Sequence, residues 1–103
     1  MEEQLKQIIN HYGINKQLKY IHSEYFELDE AIIDHESYGS CVKPKDHIAE
    51  EIADVMVMLK QFQYYYGIED YWIEEIMKKK IERQLKRIEE ECKEQETKQN
   101  LKE

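Results

Sequence analysis

The chain has 103 residues, with 23 Asp plus Glu against 15 Lys plus Arg and a formal net charge of −8. This length allows one domain with too little mass for a large core, so assembly into an oligomer is expected. The acidic field repels a phosphate backbone and argues against nucleic-acid binding, while no run approaches the roughly eighteen apolar residues of a membrane span.

Only Pro44 and the glycines Gly13, Gly39 and Gly67 interrupt the chain, and they divide it into four segments with helical periodicity. The first runs from about Glu2 to His11, with Leu5, Ile8 and Ile9 on one face. The second extends from about Asn15, a candidate cap, to His35. Its apolar stripe is Leu18, Ile21, Tyr25, Leu28 and Ile32, with Glu24 at the stripe's edge and Glu27 one step further out.

A linker from about Tyr38 to Lys45 holds Gly39, Ser40 and Pro44. Asp46 is placed to cap the third helix, which reaches Tyr66 along a stripe of Ile48, Ile52, Val55, Leu59, Phe62 and Tyr66. Glu51 and then Asp54 lie on one flank of that stripe, while Ala53, Val57 and Tyr64 make the opposite side apolar as well. A helix apolar on both sides packs centrally or against another subunit.

Asp70 is a candidate cap for the fourth helix, with Trp72 at its start and Ile73, Met77, Ile81, Leu85, Ile88 and Cys92 in near-heptad spacing. Residues 1–92 are therefore read as a single all-α domain of four-helix-bundle type. Residues 93–103, rich in Lys, Glu, Gln, Thr and Asn, are read as a frayed or flexible tail.

The chemistry lies in two acidic pairs, Glu24-Tyr25-Phe26-Glu27 and Glu51-Ile52-Ala53-Asp54. Carboxylates at i and i+3 leave one helical face, so two such pairs on adjacent helices can surround a hard divalent cation such as Mg2+. Without a cation, mutual repulsion and partial burial raise at least one carboxylate pKa. All-carboxylate metal sites suit phosphate chemistry, in which Mg2+ neutralises developing charge and activates water. Lys78, Lys79, Lys80, Arg83, Lys86 and Arg87 form the strongest positive cluster. His11, His22, His35 and His47 lack zinc-site spacing. Cys41 and Cys92 match no redox or zinc pattern, nothing at the N-terminus reads as a leader, and a cytoplasmic protein with free thiols is expected.

The stretch Ile48-Ala-Glu-Glu-Ile-Ala-Asp-Val-Met-Val-Met-Leu59, preceded by Glu24-Tyr-Phe-Glu-Leu28, resembles the MazG-like all-α nucleoside triphosphate pyrophosphohydrolases, which are related to the dimeric dUTPase-type and phosphoribosyl-ATP pyrophosphohydrolases. The resemblance covers about residues 15–90, with its specific part in the two motifs. It implies cleavage of an NTP or dNTP between the α and β phosphates, giving a nucleoside monophosphate and pyrophosphate. It also implies dependence on Mg2+, with Mn2+ as a possible substitute, and assembly as a homodimer or homotetramer.

Carried over by residue, Glu24, Glu27, Glu51 and Asp54 are the metal ligands and catalytic acids. Lys79 or Lys80 and Arg83 or Arg87 are candidates for phosphate contact. Tyr65, on the flank of Asp54, Met58 and Gln61, and Trp72 are candidates for base contact. Many members carry a further glutamate immediately before the first pair. Ser23 stands there in this chain, and Glu50 points away from the seam. That departure motivates the alternative of a non-catalytic helical oligomer or nucleotide-sensing module retaining the fold.

Overall fold

A computed structural model of the chain describes residues 1–38 and 45–102. The expected linker at Gly39, Ser40 and Pro44, together with Cys41, lies outside the described residues. Four α-helices follow in order: α1 (Glu2–Tyr12), α2 (Ile14–Tyr38), α3 (Lys45–Tyr65) and α4 (Asp70–Lys102). The chain forms two units, Met1–Ile68 with α1 to α3, and Glu69–Glu103 with α4. Among the described residues no helix is long and apolar enough to cross a membrane.

Helix ends follow local chemistry. Glu2 and Glu3 occupy the first turn of α1 and His11 its last, the charge order that complements the helix dipole. Gly13 adopts φ 87°, its N–H donates to the Ile9 carbonyl at 2.8 Å, and its own carbonyl accepts from Gln17 N–H at 3.1 Å. One glycine thus closes α1 and opens α2, so Asn15 sits inside the first turn instead of capping it.

At the end of α3, Gly67 N–H donates to Tyr64 O at 3.1 Å and Ile68 N–H to Gln63 O at 3.0 Å. With Gly67 at φ 67°, this is the Schellman arrangement that satisfies the terminal carbonyls. Gln63 Nε2 also donates to the Ile68 carbonyl at 3.0 Å, tying the turn to its own helix. The Glu69 carbonyl accepts from Trp72 and Ile73, which makes Asp70 the first residue of α4 and places its charge in the dipole-favoured first turn.

In the first unit α1, α2 and α3 pack on one another, with α2 and α3 antiparallel: Gln17 meets Gln61 at one end and Glu24 and Glu27 meet Glu51 and Asp54 further along. Leu5, Ile9, Ala31, Met58 and Tyr64 are the buried apolar residues, joined by buried Gln17, Glu51 and Gln61.

The face that α2 and α3 bury overlaps the expected stripes only in part. Along α2 it carries Gln17, Glu24 and Ala31, and along α3 Glu51 and Met58. The expected positions one residue later are exposed: Leu18 to 46%, Tyr25 to 65%, Ile32 to 43%, Ile52 to 43% and Leu59 to 53%. Ile21 and Leu28 of the expected α2 stripe and Ile48, Val55 and Phe62 of the α3 stripe are half-buried, so each helix buries one edge of its expected stripe together with the row beside it, a turn of less than one residue's roughly 100° on α2. Gln17 and Gln61 bond across the seam, which draws the amide row inward, whereas the outer edge of each apolar stripe finds no cover within the unit.

In the second unit, α4 carries Trp72, Met77, Ile81, Leu85 and Ile88 as exposed side chains. Lys78 pairs with Glu75 at 3.2 Å across one turn, and Cys92 is an exposed free thiol.

Candidate metal centre

Glu24 and Glu27 leave one face of α2, and Glu51 and Asp54 leave one face of α3, because each pair is separated by three residues. The antiparallel packing brings all four together, with one carboxylate oxygen from each lying within 4.8 Å of every other. Opposed oxygens on a hard cation are separated by roughly 4.2 Å for Mg2+ and about 4.8 Å for Ca2+, twice the metal–oxygen distance. The donor set is all oxygen, as such cations require.

Burial is uneven across the cluster. Glu51 is buried and Glu24 half-buried, while Glu27 and Asp54 are exposed. Oε2 of Glu24 and Oε2 of Glu51 are both shielded from solvent and have no hydrogen-bond partner. A buried acceptor left without a donor carries its full desolvation cost, and a cation at this position would satisfy both oxygens together. The residues present therefore fit a hard divalent ion.

Electrostatics agree with geometry. Burial is the first cause that pushes the Glu24 carboxyl above its ordinary range, followed by the charges of Glu27, Asp54 and Glu51, with a hydrogen bond to Asp54 favouring protonation further. Burial also leads in raising Glu51, followed by Glu27 and Asp54. His47 works in the opposite direction, and a hydrogen bond with Glu27 adds to the rise.

His47 Nε2 lies 3.8 Å from Glu51 Oε1, one turn earlier on α3. Zinc-type spacing does not single out this histidine, but its i,i+4 relation to Glu51 makes it a neighbour of the cluster. Ser23 and Glu50 are both exposed, so neither adds an acid to the buried part of the site.

Tyr65 is exposed on α3, edge-to-face with Tyr66 at a centroid distance of 5.0 Å. Trp72, Lys79, Lys80, Arg83 and Arg87 are exposed residues of the α4 unit.

One turn along the α2–α3 face from the acids lies a cavity of about 420 Å³. Gln17 and Gln61 line it, with Gln17 Nε2 donating to Gln61 Oε1 at 2.8 Å. Tyr12 and Tyr20 contribute rings, and Lys16 Nζ lies 4.9 Å from the Tyr12 centroid. The buried amide pair was absent from the sequence-derived candidates, since neither glutamine carries a motif.

The fold and the cluster together define an all-α protein with a carboxylate site suited to a divalent metal. No family model, curated protein or solved structure matches the chain.

Proposed function

We propose that the chain is a Mg2+-dependent nucleoside triphosphate pyrophosphohydrolase of the MazG-like kind. The observation that carries this is the pair of shielded, unsatisfied oxygens on Glu24 and Glu51 within a four-carboxylate cluster. Glu24, Glu51 and Asp54 hold the ion in this proposal. Bound Mg2+ supplies neutralisation of phosphate charge and acidification of water.

Glu27 is the more exposed acid of the α2 pair, which supports its role as the base that takes a proton from the attacking water. The water oxygen forms a bond to the α phosphorus, the bond from that phosphorus to the α–β bridging oxygen breaks, and pyrophosphate leaves with the bridging oxygen. Lys79, Lys80, Arg83 and Arg87 are the proposed phosphate contacts, and Tyr65 and Trp72 the proposed aromatic contacts.

Association with further copies of the chain belongs to the same proposal. Exposed Ile52, Met56 and Leu59 on α3, with the near-heptad apolar row of α4, support it.

Incubation with a panel of NTPs and dNTPs plus Mg2+, followed by separation of monophosphate and pyrophosphate, tests the activity. Glu51→Gln is expected to reduce turnover by about 10²-fold or more while leaving the assembly intact. Unchanged Mg2+-dependent turnover in that variant overturns the site assignment, and absence of both products across the panel favours a non-catalytic nucleotide-sensing module.

A further inference from the structure

The cavity beside the carboxylates lies on the same helix faces as they do. Tyr20 precedes Glu24 by one turn and Gln17 precedes it by two. Val57 follows Asp54 by one turn and Gln61 follows it by two. Residues at these spacings share a face, so the acids and the cavity form one continuous strip along α2 and α3. The offset from Gln17 to Glu24 is about 10 Å along the helix axis, on the scale that separates the heterocycle of a nucleotide from its phosphates.

The lining has two chemical characters. Ile8, Tyr12, Tyr20, Val57 and Met58 offer rings and apolar surface, which suit the flat faces of a heterocycle. Gln17 and Gln61 are the buried polar groups of the wall. Besides receiving the Gln17 bond, Gln61 is held through its Nε2 to the Met58 sulfur at 3.6 Å, and a thioether is a weak acceptor. That amide NH₂ keeps donor capacity for a stronger partner. The bond between them also holds each glutamine in a fixed orientation within the cavity wall.

We infer that this cavity receives the base of the nucleotide, with Gln17 and Gln61 reading its hydrogen-bonding edge and Tyr20 against its face, an assignment that rests on the nucleotide reading of the carboxylate site. Tyr65 is not among the residues lining this cavity, and the inner base contacts accordingly fall to α1, the first turns of α2 and the C-terminal half of α3. A site built to hydrogen-bond a base edge discriminates strongly against a base that leaves its amides unpaired, so selection among bases is expected.

The test is titration of nucleoside α,β-methylene triphosphates carrying each common base, with tripolyphosphate as the base-free control, into the protein in excess Mg2+. The side-chain amide signals of Gln17 and Gln61 are followed by NMR. Val57→Phe, at a lining position that is 43% exposed, narrows the cavity without entering the acid cluster. One base or a subset is expected to shift both amide signals. Val57→Phe is expected to weaken that nucleotide at least tenfold and to leave tripolyphosphate affinity unchanged. Nucleotide binding with still amide signals and no effect of Val57→Phe overturns the base assignment and leaves the carboxylate reading standing. Failure of both nucleotide and tripolyphosphate to bind removes the nucleotide reading, and the base assignment with it.

Discussion

Glu24 on α2 and Glu51 on α3 belong to one carboxylate cluster across the helix seam, each with a shielded carboxylate oxygen that no hydrogen bond satisfies. Two acids in this relation destabilise the fold when both are charged and stabilise it when a cation joins them.

The first prediction concerns pH and metal together. Folding raises both carboxyls above the ordinary value of 4.5, so their contribution to stability is whole below about pH 4.5 and is lost as pH rises through the raised values. In EDTA, the stability difference between the wild type and Glu24→Gln should shift in favour of the variant as pH rises from about 5 to about 7.5. Mg2+ should reverse this at neutral pH, adding about 2.7 kcal/mol at a hundredfold excess over Kd, with a smaller gain near pH 5. Thermal melts across this range check it, and a Mg2+ gain independent of pH would count against the charged cluster.

The amide pair should behave as a unit. Gln61→Leu leaves Gln17 buried without its acceptor and should cost about 1–3 kcal/mol. Replacing both glutamines by leucine should recover much of that loss, because neither amide is then stranded. Urea unfolding of the two singles and the double measures the coupling, and additive losses would show that the bond contributes nothing of its own.

The exposed row of α3 should direct assembly. Leu59 is 53% exposed and lies outside the carboxylate cluster, so Leu59→Asp should shift sedimentation toward the 12.6 kDa single chain with helical content preserved. A wild type that already sediments at that mass would remove self-association from the proposed function.

Local features were legible because they depend on neighbours in the chain. Gly13 and Gly67 end helices since a left-handed backbone costs glycine little, and four helices follow from the apolar periodicity between such breaks. The two acid pairs could likewise be read as metal ligands, because i,i+3 spacing places both carboxylates of a pair on one face whichever way the helix turns. His47 could have been found by the same rule from its distance to Glu51.

Which edge of each stripe on α2 and α3 turns inward was beyond local reading. A hydrophobic pattern selects the widest apolar stripe, of which Ile21, Leu28, Ile48, Val55 and Phe62 are half-buried while Leu18, Tyr25, Ile32, Ile52, Leu59 and Tyr66 are exposed. The inward edge also takes in buried Gln17 and Glu51 and half-buried Glu24, which are unfavourable to bury when each helix is considered alone. The glutamines become favourable only in register, when Gln17 reaches Gln61 forty-four residues away, and the acids of α2 and α3, which repel one another, require a cation between them. The chain by itself determined the helices and the spacing of their acids; tertiary packing decided which face closed, because the partner that satisfies a buried polar group lies on another helix.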